Sequence, residues 1–164
     1  MLLALLMIVS VTPISTYAAT YITEMNSDAQ FGVISGSYDD YGHELHYAKY
    51  DGKTYITFCC EFGVKSPTGT TYKYGTDFKK YLNRSGATYE NIADYIAFGY
   101  TLVYGDGLPS TTVEKKAACA TQQYVWEKLG VNPTRSSWNS TYMSDSIYKD
   151  WKEKTEARIS EYYD

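Results

Sequence analysis

Cysteine is scarce in this chain and odd in number, with Cys59, Cys60 and Cys119 the only three in 164 residues. In an exported protein an odd count leaves at least one cysteine without an intramolecular disulfide partner. Paired-ligand spacing is missing too. Cys59 and Cys60 are adjacent, Cys119 is remote, and the two histidines, His43 and His46, fall on one predicted strand, so no zinc motif or cofactor fingerprint emerges. Charge is sparse: 21% of residues are charged and the formal net charge is −4, which leaves no basic face for nucleic acid or an anionic membrane. No internal repeat or low-complexity tract interrupts the chain, so it reads as one unit. Phenylalanine is rare as well, five against nineteen tyrosines. Tyrosine suits a thin domain in which one side of each element is buried and the other is wet, as in an extracellular β-rich module.

The single long apolar run is Leu2-Leu3-Ala4-Leu5-Leu6-Met7-Ile8-Val9, too short to span a bilayer as a stable helix and followed by Pro13 and the small-residue stretch Ser15-Thr16-Tyr17-Ala18-Ala19. Residues 1–19 are therefore expected to be a secretory leader cut after Ala18 or Ala19. The composition turns polar at Thr20 and stays so. Residues 20–164 are expected to form one exported domain, a clipped piece of a longer surface protein or one whose anchor lies elsewhere.

Strand signals dominate the first half. Residues 21–25 and 31–35 are candidate strands, and residues 44–50 and 53–60 flank Asp51-Gly52, a dipeptide suited to the positive φ of a two-residue hairpin. Residues 63–69 carry turn chemistry. The second half is helical. A short helix is predicted over 76–82 and another over 88–103, with Ile92, Ile96, Gly99 and Val103 on one face. A third begins where Thr111 and Glu114 have capping-box spacing and ends at Leu129, before Gly130 and Pro133. The fourth covers about 144–162, with Ile147, Trp151, Thr155 and Ile159 in one row. Strands followed by helices predict an α+β fold: an antiparallel β-subdomain packed against a helical one.

Two positions carry the chemistry. Along the strand 53–60, Ile56, Phe58 and Cys60 share the apolar side and Tyr55, Thr57 and Cys59 the more polar one, so Cys60 is the natural core thiol and Cys59 projects at the strand's end. On the third helix, Ala118, Thr121, Gln122, Val125 and Leu129 follow the spacing of a buried stripe, which Gln122 interrupts. An unpaired buried amide costs about 1–3 kcal/mol, so this glutamine needs either hydrogen-bond partners or conversion into something less polar. Attack of the Cys59 thiolate on its carboxamide, with loss of ammonia, is such a conversion. Gln123 is expected to point into solvent.

These residues resemble the thioester domains of Gram-positive surface adhesins, also called TQXA domains. The likeness rests on the strand-end Phe58-Cys59-Cys60-Glu61-Phe62-Gly63 and on the helical Thr121-Gln122-Gln123-Tyr124-Val125-Trp126, with Ile96-Ala97-Phe98-Gly99-Tyr100 between them. Tyr124 stands where the family usually has alanine. The resemblance implies a Cys-bearing strand set against a Gln-bearing helix and a spontaneous internal thioester between Cys59 and Gln122. It further implies covalent coupling to a lysine amine on a host protein, at the cell surface and without turnover. Thr121, Tyr124 and Trp126 would flank the bond, with Trp126, one helical turn beyond Gln122, shielding it from water.

Two other readings stand beside this one. A disulfide from Cys59 or Cys60 to Cys119 would make the chain a non-covalent secreted binding module. A histidine activating Cys59 would make it a cysteine hydrolase; His43 and His46, three apart on a strand, face opposite sides, so only one can reach the thiol.

Overall fold

The structure is a computed structural model and describes residues 29–33, 45–50, 52–59, 71–72, 89–130, 135 and 138–164. The expected leader at 1–19, the strand at 21–25, the loop at 63–69, the short helix at 76–82, and Cys60 and His43 lie outside the described residues.

Gly52 has φ +72°, the left-handed conformation that a two-residue hairpin turn requires and that glycine adopts without steric cost. It joins β2 (His46–Tyr50) to β3 (Lys53–Thr57), which pair antiparallel from Tyr50 opposite Lys53 to His46 opposite Thr57. β1 (Ala29–Val33) runs antiparallel along the other edge of β2, and the two-residue β4 (Thr71–Tyr72) pairs with β1, giving the order β3-β2-β1-β4. The outer edge of β3 is not left bare, since the Ile56 N–H donates to the carbonyl of Asp106 at 2.9 Å. Alternation along β3 predicts one wet face, but Tyr55, Ile56, Thr57 and Phe58 are all buried. A strand of this kind is covered on both sides.

Helix exceeds strand among the described residues, and the class is α+β. The segment predicted as one helix over 88–103 is three: α1 (Tyr89–Ile96), a π-helical turn (Ala97–Thr101) and the short α2 (Leu102–Tyr104). A π-turn widens the helix by one residue and disturbs its carbonyl ladder. Two side chains from α4 (Asp145–Tyr163) occupy carbonyls there: the Trp151 Nε1–H donates to Gly99 O and the Arg158 Nη1–H to Phe98 O, each at 3.0 Å. Helical periodicity in sequence carries no trace of this widening, because its cause is a tryptophan fifty-two residues away.

α3 (Thr112–Lys128) starts as its sequence predicts. Thr111 Oγ1 accepts from the Glu114 N–H at 3.2 Å, and a Glu114 carboxylate oxygen accepts from the Thr111 N–H at 3.0 Å, which closes the capping box. Ser110 adds its own N–H and hydroxyl to the same carboxylate oxygen. At the far end Gly130 takes φ +76° just past the Leu129 cap. The middle of α3 departs from the predicted stripe, for every residue from Ala117 to Trp126 is buried. A helix buried all round is a central element rather than a surface one. The run Ala117-Ala118-Cys119-Ala120 is small enough for neighbours to approach on each side. On α4, capped by Ser144 Oγ at Ile147 N, the buried row is Tyr148, Trp151 and Thr155, while Ile147 and Ile159 sit half-buried at its margins. One buried cluster contains Leu45, Ile56 and Phe58 together with Ile92, Ile96, Tyr100, Val125 and Trp151.

Two outcomes follow from these contacts. A methyl added at Gly99 would lie 2.5 Å from Trp151 Cζ2, and the indole cannot withdraw without giving up its hydrogen bond to the Gly99 carbonyl. Gly99→Ala is expected to cost about 2 kcal/mol in urea unfolding, the range of overpacked cores. Glu114 titrates well below its ordinary 4.5, at about 2, because the Thr111 backbone and then Ser110 hydrogen-bond its charged form. Its folded value lies below its unfolded one, so its contribution is complete above 4.5 and is lost as pH falls from there toward 2. The melting-temperature gap between the parent and Glu114→Gln should therefore close over that interval.

Candidate functional site

Cys59 stands two residues past the end of β3 and is half-buried. Gln122 lies in the buried middle of α3 with 0% of its surface exposed. Sixty-three residues apart in the chain, they meet in a two-way hydrogen bond. The Cys59 N–H donates to Gln122 Oε1 at 2.7 Å, and Gln122 Nε2 donates to the Cys59 carbonyl at 2.8 Å. One carboxamide thus answers both the donor and the acceptor of one residue, as the facing residue of an antiparallel strand would. Turning the amide over would set N–H against N–H and carbonyl against carbonyl, so the pairing fixes its orientation.

That contact has two consequences. The burial cost of the amide is offset, since each of its polar ends has a partner. The side-chain carbonyl carbon is also brought to the backbone of Cys59, whose side chain carries the sulfur, so a nucleophile and an acyl group belong to residues in direct contact. The oxygen on that carbon already faces an N–H at a distance suited to stabilising negative charge.

The other thiol differs in kind. Cys119 sits on α3, 0% exposed, and burial pushes its thiol pKa upward, which keeps it protonated and unreactive. Cys59 and Cys119 both carry thiols, and no disulfide links them.

The remaining predicted residues are placed around α3 as follows. Thr121 is fully buried and its hydroxyl donates to the Ala117 carbonyl one turn back at 2.8 Å, within its own helix. Tyr124 stacks on Tyr95 with ring centroids 3.9 Å apart and leans on Trp151, so it fills the space between α1, α3 and α4. Tyr95 in turn donates its hydroxyl to Glu156 at 2.6 Å. Trp126 is buried and stacks on Trp138 at 5.7 Å. The two hydrogen bonds described above join Gln122 to Cys59; the hydrogen bond of Thr121 and the ring stacks of Tyr124 and Trp126 reach α1, α3, α4 and Trp138, and Cys59 packs against the buried cluster that contains Tyr124 and Trp126.

Gln123 requires a correction, because it is 1% exposed rather than solvated. Its Oε1 accepts from Trp138 Nε1 at 2.8 Å, and its Nε2 donates to Glu127 Oε1 at 2.9 Å. Glu127 also receives Arg135 and the Tyr148 hydroxyl, and Arg135 lies 4.0 Å from the centre of the Tyr148 ring while reaching Asp145. Adjacent glutamines, about 100° apart around the helix, therefore serve different neighbours, Gln122 toward Cys59 and Gln123 toward Trp138 and Glu127. Nothing in the helical spacing distinguishes a solvated Gln123 from this one, since its partners arrive from residues 127–148.

No protein-family model, curated protein or solved structure matches the chain. No helix among the described residues is long and apolar enough to cross a membrane.

The two glutamines should respond differently to replacement. Gln123→Leu strips the indole N–H of Trp138 and Glu127 of a buried partner, and is expected to lower unfolding free energy by about 2 kcal/mol. The same variant leaves the hydrogen bonds between Cys59 and Gln122 in place, so whatever chemistry Cys59 shows toward thiol reagents should be retained. Denaturant titration and thiol labelling read the two properties separately.

Proposed function

We propose that Cys59 and Gln122 close an internal thioester and that the chain is a covalent adhesin domain, exported behind the leader at 1–19 and displayed at a cell surface. The observation that carries this reading is the pairing of the Gln122 carboxamide with both backbone groups of Cys59. The finer architecture belongs to the same proposal: a β-subdomain whose Cys-bearing strand end is set against the Gln-bearing helix of a helical subdomain.

The chemistry balances without an external reagent. The Cys59 sulfur attacks Gln122 Cδ, the developing oxyanion rests against the Cys59 N–H, the C–N bond breaks, and the nitrogen leaves as ammonia with the thiol's proton. Burial of Gln122 keeps water from the acyl carbon, and half-burial of Cys59 leaves one side open to an incoming amine. A lysine side chain on a host protein then attacks the acyl carbon, forming an amide and releasing the Cys59 thiol. The bond forms once, so the domain is a crosslinker and has no turnover. Trp126, in the proposal, contributes to the dry surroundings through its stack on Trp138.

A second reading has an observation of its own. With both ends of its amide hydrogen-bonded, Gln122 also suffices as a structural link between strand end and helix, in a non-covalent binding module. Intact-mass measurement separates the two. The thioester predicts a mass short by one ammonia, and treatment with methylamine should add one methylamine to that deficient species. Cys59→Ala, Gln122→Ala and Gln122→Glu should each remove the deficit. A full unmodified mass for the folded parent chain would leave the structural reading alone.

A further inference from the structure

His46 begins β2 directly opposite Thr57, the residue two before Cys59. Side chains of paired residues lie on one face of a sheet, and alternate residues along a strand return to it. His46 and Thr57 share a face; the same alternation carried two residues past the end of β3 puts Cys59 on it, diagonal to His46, a relation that in a sheet sets Cα atoms about 7–8 Å apart and lets long or aromatic side chains touch. Of the two histidines, His46 is the one within the described residues, and its register opposite Thr57 sets it on this face.

The surroundings of His46 narrow its role. On the same face, Ala48, Tyr55 and Thr57 are buried and none of them takes up a proton at neutral pH. Lys53 shares the face but lies at the hairpin end, opposite Tyr50. His46 and Cys59 are both half-buried, whereas Gln122 is 0% exposed. An amine reaching the acyl carbon from the sulfur's side thus passes the one imidazole on this face among the described residues. An amine attacking a thioester must shed a proton as its C–N bond forms, and a departing thiolate must regain one, which is work for a group with a pKa near neutrality.

We propose that His46 is the general acid–base of thioester opening. Neutral imidazole takes the proton from the attacking nitrogen as it bonds to Gln122 Cδ. The Cδ–Sγ bond then breaks, and the imidazolium returns that proton to the Cys59 sulfur. The products are the amide, the Cys59 thiol and neutral His46, so every proton is accounted for. The proposal rests on the thioester reading and adds the group that moves the proton.

The test uses the full chain, with methylamine as the amine. Mass spectrometry first fixes the fraction lacking one ammonia, and the rate at which methylamine consumes that fraction is then followed. His46→Gln is expected to retain the deficit and to open about 100-fold more slowly, the lower end of what a positioned acid–base contributes. Added imidazole should recover part of the loss in His46→Gln and do nothing for the parent, a rescue that a merely structural role would not give. Opening of His46→Gln at the parental rate overturns the assignment. Should His46→Gln and His46→Asn both lack the deficit, the parent is measured in D2O, where a rate equal to that in water overturns it, since no proton would then be in flight. A parent without the deficit removes the thioester and His46 together; a parent with it, and an unaffected variant, removes His46 alone.

Discussion

A glutamine side chain hydrogen-bonded to both the N–H and the carbonyl of one residue, sixty-three positions earlier, is the contact on which the arrangement of this molecule depends. β3 ends at Thr57, and beyond it the chain would otherwise need a strand partner for Cys59. The amide of Gln122 occupies that role from a helix. For it to do so, α3 must come close enough for a side chain of two methylene groups to span the gap, and the helix is accordingly buried on all sides over 117–126. The small residues in that run are a condition of the contact, because large ones would hold neighbouring elements away. Both the structural and the chemical reading of Gln122 start from this geometry. They differ only in whether a bond follows.

The elements around α3 hold it by unlike means. The π-turn at 97–101 is fastened by Trp151 and Arg158 of α4, and Tyr124 is stacked on Tyr95 of α1. On the other flank the linkage is polar, from Trp138 through Gln123 to Glu127, Arg135 and Tyr148. Such a network is strong only while each member keeps its partner, and weak points appear when one is removed. Both flanks bear on the rotation of α3 about its axis, the aromatic one through close packing and the polar one through directional hydrogen bonds. Rotation matters most here, since turning the helix by one residue would exchange Gln122 for Gln123 in front of Cys59.

How far the sequence discloses this depends on whether a signal is local. Asp51-Gly52, the Thr111–Glu114 box, Gly130 and the Ser144 cap are local, and the hairpin and the ends of α3 and α4 sit where those residues put them. The π-turn was not legible, because its determinant is the indole of Trp151 pressed against Gly99. The burial of Gln123 was hidden for a like reason: a polar residue on a helix reads as solvated until a distant tryptophan and carboxylate are known to meet it. Strand alternation overstated the wetness of β3, where Tyr55 and Thr57 are covered. Cys59 and Gln122 stood out as a strand-end thiol and an amide on an apolar stripe, while the two-way hydrogen bond between them did not.

Why Cys59 rather than Cys119 would be the sulfur of the proposed bond can be argued from the same physics. Cys119 is one turn from Gln122 on the same helix, and helical side chains lean toward the N-terminus, so proximity alone does not disfavour it. Desolvation does. A fully buried thiol with a raised pKa offers almost no thiolate, the form that attacks. Half-burial of Cys59 leaves its sulfur within reach of a proton acceptor, and β2 places His46 on that face. The selection between these two thiols is thus made by solvent before any distance is compared, and it favours the strand end.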